Sequence, residues 1–281
     1  MTKKKGYATA AFGNLINNDI DELKELDILG FNHLPNTQSK IMENTILHTS
    51  ESRGDANHGW LHSKHTFSFA NYYNPERMHF GVLRVLNDDT VAAGMGFGTH
   101  PHDNMEIVTI PMKGAVAHED SMGTNGIINA GDVQIMSAGS GIYHSEFNAS
   151  QTEGLELFQI WVMPKLKNIT PRYDQRTYNP ADFKGQWKTV VSPLGTDIDS
   201  LQVNQDTYFN MTEISEGESL SYALHGAQQG AFVFVIEGGI EVAGEKLGRR
   251  DAIGISETET IEVKASTAGT KVLLIEVPMV W

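Results

Sequence analysis

From about residue 46 onward, short apolar runs alternate with glycine and Asn/Asp turns, and this pattern restricts the fold more than any other feature. The runs include "FGVLRVL" (80–86), "MEIVTIPM" (105–112), "DVQIMS" (132–137) and "LFQIWVM" (157–163). After a turn-rich stretch come "WKTVV" (187–191), "TYFNMTEI" (207–214), "AFVFVIE" (231–237), "TIEVKA" (260–265) and "KVLLIEV" (271–277). Runs of this length bounded by turn residues read as strands, and strands this short and frequent predict an all-β sandwich or barrel. At 281 residues the chain is long for one small core, so two domains or one large all-β domain are expected. Pro164, Pro171, Pro180 and Gly185 punctuate the middle and place a boundary near 175.

The two halves follow the same order of signals. In the first, an apolar strand runs into Lys113-Gly114, and Gly131-Asp132 later opens "VQIMS". In the second, "FVFVIE" runs into Gly238-Gly239, and Arg250-Asp251 later opens "AIGIS". Two such units predict two similar barrels. The expected organisation is an N-terminal extension over 1–45, a first barrel over 46–175 and a second over 176–281. Within the extension, "NNDIDELKELDIL" spaces Ile20, Leu23 and Leu26 three apart behind Asn18 or Asp19 as N-cap, which predicts a short amphipathic helix.

Charge and composition exclude several classes of function. The formal net charge is −14, and the one basic cluster is Lys3-Lys4-Lys5, so no surface for nucleic acid is expected. There is no cysteine, which removes disulfides, thiol nucleophiles and zinc ribbons. No apolar run is long enough to span a bilayer, and no apolar segment follows the N-terminal lysines, so a cytoplasmic location without membrane contact is expected. "GMGFG" (94–98) lacks the helix and acidic residue of a dinucleotide fingerprint, and "AGSGIYH" has Ala138 where a nucleophile elbow needs glycine.

The candidate chemical groups are histidines, of which the chain has 11, so chance pairing competes with a metal site. In "GTHPHDNME", His100 and His102 are two apart, and Pro101 biases its neighbour toward extended backbone, so both side chains project from one face of a strand. In "GSGIYHSEFN", His144 and Glu146 repeat that spacing. If the barrel brings the two pairs together, three imidazoles and one carboxylate meet. His58, His62 and His65 are read as structural, and His118 as a histidine beside the site or in a loop. The alternating "HTFSF" (65–69) reads as a strand placing Phe67 and Phe69 on one face, in a pocket wall or, more simply, in the core.

Gly94, His100, His102 and Glu106 resemble the first cupin motif, with Gly114 one place later than usual. The second motif is matched in part. Gly131 is present, Ser137 stands where proline is usual, His144 arrives two places late, and Asn148 keeps its offset of four from that histidine. Taken with "RGDANHGWL", "HTFSFANYY" and "QIWVMP…PRYDQ", these stretches resemble the pirin family of bicupins over about 47–176. Over 177–281 the resemblance rests on length and the repeated signals.

The resemblance implies two stacked double-stranded β-helix (jelly-roll) barrels with one metal in the N-terminal barrel. It implies His100, His102, His144 and Glu146 as ligands, with Glu106 beside the site, and no metal in the second barrel, where His225 has no histidine partner. Such donors suit Fe(II) first, and also Mn, Ni, Cu or Zn. Four protein donors on an octahedral ion leave room for a substrate and O₂. The expected activity is cleavage of flavonols such as quercetin at the 2,3 position, with Glu146 also accepting the substrate's hydroxyl proton. A second expectation is an iron-binding regulator that modulates a transcription or metabolic partner through the redox state of the metal. A third is a structural bicupin with vestigial chemistry.

Overall fold

The structure is a computed structural model and describes residues 44–280. The helix expected in "NNDIDELKELDIL" lies outside the described residues. In chain order the first twelve strands are β1 (Asn44–His48), β2 (Gly54–Asn57), β3 (Leu61–His65), β4 (Leu83–Val91), β5 (Gly96–His102), β6 (Glu106–Lys113), β7 (Ala115–Asp120), β8 (Asn125–Asn129), β9 (Asp132–Ser137), β10 (Ile142–Asn148), β11 (Leu155–Val162) and β12 (Arg172–Thr177). The remaining ten are β13 (Lys188–Pro193), β14 (Leu201–Val203), β15 (Tyr208–Ile214), β16 (Ser219–Ala223), β17 (Gln229–Glu237), β18 (Ile240–Val242), β19 (Glu245–Leu247), β20 (Ala252–Ser256), β21 (Thr260–Ala265) and β22 (Thr270–Pro278). Helix is confined to two short 3₁₀ turns among the described residues, and no helix there is long and apolar enough to cross a membrane.

Each half pairs a seven-stranded sheet with a four-stranded one, giving the expected all-β, two-barrel bicupin architecture. The first half contains β12-β9-β6-β11-β4-β3-β2 and β5-β10-β7-β8; the second contains β1-β20-β17-β22-β15-β13-β14 and β16-β21-β18-β19. The repeat seen in sequence is a repeat of topology: β9-β6-β11-β4 recurs as β20-β17-β22-β15. The edge strand β1, which precedes the first barrel in sequence, completes the large sheet of the second by pairing with β20. Residues 44 and 45, within the expected extension, belong to this strand.

The repeated turn signals have a backbone cause. Gly114 and Gly238 adopt φ of 78° and 81° at the turns that follow β6 and β17. Gly131 and Arg250 both take positive φ, 97° and 68°, just before β9 and β20. Glycine adopts that conformation freely, whereas an L side chain pays roughly 1–2 kcal/mol. Arg250 carries that strain with a side chain that joins the barrels. Its Nε lies 3.0 Å from the Asp88 carboxylate of β4, it donates to the Ile236 carbonyl at 2.8 Å, and its guanidinium lies 4.8 Å from the Phe158 ring centroid. Arg53 reaches the same carboxylate at 3.3 Å.

The largest apolar core lies between the two seven-stranded sheets, where Ile110, Phe158 and Ile160 of the first meet Phe209, Phe232 and Phe234 of the second. The interior of the second barrel is one further apolar cluster that includes Val233, Ile253 and Leu274. In the first barrel the interior apolar residues form two separate groups, Leu61, Val91 and Leu157 in one and Ile107, Met136 and Ile142 in the other. Polar side chains occupy the space between them.

Two expected strands shift. The run at 80–86 joins the ladder only from Leu83 and continues to Val91. "HTFSF" leaves the ladder after His65, because Ser68 N donates to the Arg77 carbonyl and Phe69 pairs with Tyr72 across a tight turn. The two-residue periodicity fails beyond His65, and Phe67 and Phe69 go to different places.

Removing the Arg250 side chain leaves Asp88 with one cation instead of two. Arg250→Gly relieves the backbone strain, yet we expect a net loss of about 2–3 kcal/mol of unfolding free energy in urea, somewhat below the cost of breaking a fully buried pair. Combined with Asp88→Asn, the loss should be less than the sum of the single changes, as for groups in direct contact. Full additivity would show that the pair does not couple the barrels.

Candidate metal centre

The pairing of β5 with β10 builds the site. Their antiparallel register sets His144 opposite His100 and Ile142 opposite His102. Close approach of these strands requires Gly96, where a Cβ would fall 2.3 Å from the Glu146 carbonyl oxygen and 2.4 Å from the Phe147 Cα. That requirement explains a glycine of the "GMGFG" stretch. A register shift between His144 and Glu146 follows directly. Side chains on β10 alternate strictly, with His144 and Glu146 buried and Tyr143 and Phe147 exposed.

The predicted residues fall into two overlapping groups. Ring nitrogens of His100, His102 and His144 lie within 4.8 Å of one another. The ligand atoms of His118, His144 and Glu146 do likewise. His144 is common to both. The His100–His144 ring centroids are 4.4 Å apart, and His102 lies 4.9 Å from each. His118 enters because β7 pairs with β10, placing His118 opposite Glu146 and Asp120 opposite His144. The signal for it was present in sequence: His118 and Asp120 of "AVAHED" have the same two-residue spacing as the recognised pairs.

The electrostatics favour neutral imidazoles. His144 is buried, and neither ring nitrogen has a hydrogen-bond partner among the described residues. Burial, then the neighbouring His100, His102 and His118, lowers its pKa to about 3. Burial and His100 lower that of His102 to about 4. His100 Nδ1 lies 2.8 Å from the Gly98 carbonyl. A carbonyl only accepts, so Nδ1 carries the hydrogen and Nε2 is left with its lone pair. Burial also lowers the pKa of His118, against the pull of Asp120, whose Oδ2 is 3.2 Å from its Nε2.

Glu146 has the opposite problem. It accepts from Thr109 Oγ1 at 3.2 Å and from Gln159 Nε2 at 2.8 Å. Burial still raises its pKa to about 7, opposed by the Thr109 bond, while the negative charge of Asp89 adds to the rise. A cation beside it would hold the carboxylate ionised. Unpartnered buried imidazole nitrogens and an uncompensated buried carboxylate are the donor set of a divalent transition metal, and the residues fit one.

A cavity of about 870 Å³ adjoins these groups. His100, His102, His144 and Glu146 line it, together with the rings of Trp60, Phe69, Tyr72, Phe97 and Trp161. Phe69 packs edge-on to Trp161 at 5.4 Å in this wall, whereas Phe67 is buried against Phe232 in the core between the barrels.

The other singled-out residues lie elsewhere. Glu106 is buried, accepts from Ser137 Oγ at 2.6 Å and from the Asn204 backbone N–H at 3.1 Å, and belongs to neither donor group. His225 lies in the second half, 2.7 Å from Glu276 and stacked on Tyr208 at 3.7 Å. His62 pairs with Asp55 at 2.8 Å on the surface. His58 is exposed at the cavity and His65 is buried in its wall.

Comparison with known proteins identifies the family. A family model described as Pirin matches residues 46–162, and one described as the quercetinase C-terminal cupin domain matches 189–277. Over 234 residues, 83% of this chain and 99% of the relative, the sequence is 44% identical to a quercetin 2,3-dioxygenase of Escherichia coli strain K12. The chain belongs to the pirin family. A pirin-like protein of Caulobacter vibrioides is 41% identical over 75% of this chain and 90% of its own length. Among solved structures, the bacterial pirin YhhW of Escherichia coli in complex with nickel(II) superposes with a TM-score of 0.79, at 43% identity, covering 84% of this chain and all of that one.

If this pirin site holds a metal as its donor set suggests, His100→Ala and His144→Ala should each abolish stoichiometric metal. His225→Ala, in the other barrel, should leave it intact. Elemental analysis of the purified, metal-reconstituted variants checks this. Full occupancy in the His100 variant would show that the three-imidazole group is not the site.

Proposed function

We propose that this chain is a metal-dependent dioxygenase that opens flavonols such as quercetin at the 2,3 position with O₂. The observation that carries the reading is the pair of unpartnered His144 nitrogens beside buried Glu146, at a cavity walled by aromatic rings. The names borne by relatives at comparable identity support the same class of activity. His100, His102, His144 and Glu146 would hold the metal, with Fe(II) the first candidate. When bound, such an ion supplies Lewis acidity toward a substrate oxygen and a route for electrons to O₂.

The residues of the chain do the rest. Trp60, Phe97, Phe69 and Trp161 offer faces and edges to a flat ring system and exclude water from it. Glu146, ionised when a cation is bound beside it and made more basic by its burial, would accept the proton of the flavonol 3-hydroxyl. Thr109 and Gln159 hold its two oxygens in place while it does so.

Metal-loaded protein should consume O₂ and release carbon monoxide with at least one member of a flavonol panel. Glu146→Gln should lower kcat by roughly a hundredfold, the scale for a lost general base, with a much smaller change in substrate affinity. Unchanged kcat in that variant, once metal content is matched, would remove Glu146 from the chemistry.

One observation favours the regulatory reading as a second. Tyr143 and Phe147 alternate with His144 and Glu146 on β10 and are 57% and 40% exposed, so the strand with two metal donors also presents an apolar outer face. Absence of O₂ uptake with every flavonol, together with a partner captured only by the metal-loaded protein and lost in Tyr143→Ser, would establish that reading instead.

A further inference from the structure

The ladder register of the first seven-stranded sheet aligns five polar side chains in one row. His65 of β3 pairs with Asn87 of β4, Asn87 with Gln159 of β11, Gln159 with Thr109 of β6, and Thr109 with Gln134 of β9. The second barrel has the same row at the same register. Thr189 pairs with Asn210, Asn210 with Leu274, Leu274 with Val233, and Val233 with Ile253. There the row is apolar over three strands and contributes to the barrel core. Its two polar members satisfy one another: Thr189 Oγ1 donates to the Asn210 amide oxygen at 2.7 Å, and Asn210 Nδ2 donates to the Tyr222 hydroxyl at 3.0 Å.

In the first barrel the row divides by use. Thr109 and Gln159 hold Glu146. Gln134 Oε1 is buried without a partner among the described residues but lies outside the cavity lining, whereas His65 and Asn87 face the cavity. They are 2% and 3% exposed, they line the cavity, and neither His65 nitrogen nor the Asn87 amide oxygen has a hydrogen-bond partner among the described residues. Asn87 and Asn210 are the same residue at equivalent positions, and only the one facing the cavity is left with its oxygen unpaired. Next to them on the same face, buried Asp89 accepts from the Ser63 hydroxyl. Leaving such groups unpaired against apolar walls is costly, and a ligand group that pairs them recovers that cost.

We propose that His65 and Asn87 form a hydroxyl-reading subsite that binds a phenolic hydroxyl of the planar aromatic ligand, at the end of the cavity away from the histidine cluster. The proposal rests on the reading of this cavity as the flavonol site. The chemistry of the subsite selects the group. Asn87 Oδ1 only accepts, so the ligand must donate. Burial lowers the pKa of His65, so its ring is neutral and offers one acceptor and one donor. A phenolic hydroxyl donates and accepts and meets both residues, whereas an ether, a carbonyl or a bare ring edge does not. Phe69, at 5.2 Å from the His65 ring centroid, and Tyr72, at 6.4 Å, flank the position with aromatic surface. His65 stands two strand spacings from Gln159, roughly 10 Å across the sheet, so one ring system can meet the Glu146 end and the His65 end together.

The test compares metal-loaded wild type, His65→Phe and Asn87→Leu. Each is titrated with 3-hydroxyflavone and with analogues carrying further hydroxyls on the pendant or the fused ring. Binding is read from quenching of Trp60 and Trp161, and O₂ uptake is followed in the same samples. We expect at least one hydroxylated analogue to bind wild type tenfold or more tightly than 3-hydroxyflavone. Both variants should lose that advantage to within twofold while holding 3-hydroxyflavone as wild type does. Absence of any preference in wild type overturns the subsite whether or not the variants fold, as does a preference that survives both substitutions. If 3-hydroxyflavone is turned over and extra hydroxyls add no affinity, the subsite fails and the dioxygenase reading stands. If the preference depends on His65 and Asn87 and no flavonol consumes O₂, the subsite stands and the dioxygenase reading fails.

Discussion

The contact between the two seven-stranded sheets is the constraint on which the rest of the structure depends. Phe158 of one sheet and Phe232 and Phe234 of the other are fully buried there, within the largest apolar cluster among the described residues. Side chains alternate across a strand, so this contact uses one face of each sheet and leaves the other to line a barrel. In the second barrel the lining is apolar as well, and its large sheet is buried on both faces. The first barrel takes most of its apolar burial from the shared contact and so tolerates His65, Asn87, Gln159 and Thr109 in its lining. The Asp88 carboxylate, met by Arg53 and Arg250, holds the two barrels at that contact.

How much was legible in the sequence follows from the range over which each signal acts. The His100/His102 and His144/Glu146 pairs were legible because strand geometry acts over two residues. The repeat was legible because glycine marks each positive-φ turn, although Arg250 adopts the same conformation where the first repeat has Gly131. "HTFSF" misled because its alternation continues past the last ladder bond, and a periodic pattern carries no information about where pairing stops. His118 was read as lying beside the site or in a loop, and its two-residue spacing from Asp120 was visible, but its partner was not: the pairing of β7 with β10 is what sets it opposite Glu146. The polar row was invisible for the same reason. Its five members lie on five strands scattered from residue 65 to residue 159, and no window of sequence contains more than a fraction of it.

The donor groups pull against each other in a way that a cation resolves. Burial drives protons off His144 and His102 and pushes a proton toward Glu146. Each effect is the cost of placing a charge in a poorly solvated site, and the two have opposite sign because one charge is positive and the other negative. One divalent ion uses the lone pairs that the histidines retain and stabilises the charge that the glutamate resists. The hydrogen bonds from Thr109 and Gln159 already favour the ionised carboxylate, so the protein has moved part of the way toward the ion-bound arrangement.

The two barrels therefore differ less in backbone than in what fills equivalent slots. Asn87 and Asn210 show this at a single position. One oxygen accepts from Thr189 and completes a barrel wall; the other faces a cavity and is left open to whatever enters. The same comparison holds strand by strand, with Gln159 against Leu274, Thr109 against Val233 and Gln134 against Ile253. Apolar residues in that row close the second barrel into a core. Polar residues in it divide the first barrel's apolar lining in two, and the space between the halves is where the imidazoles, the glutamate and the cavity come together.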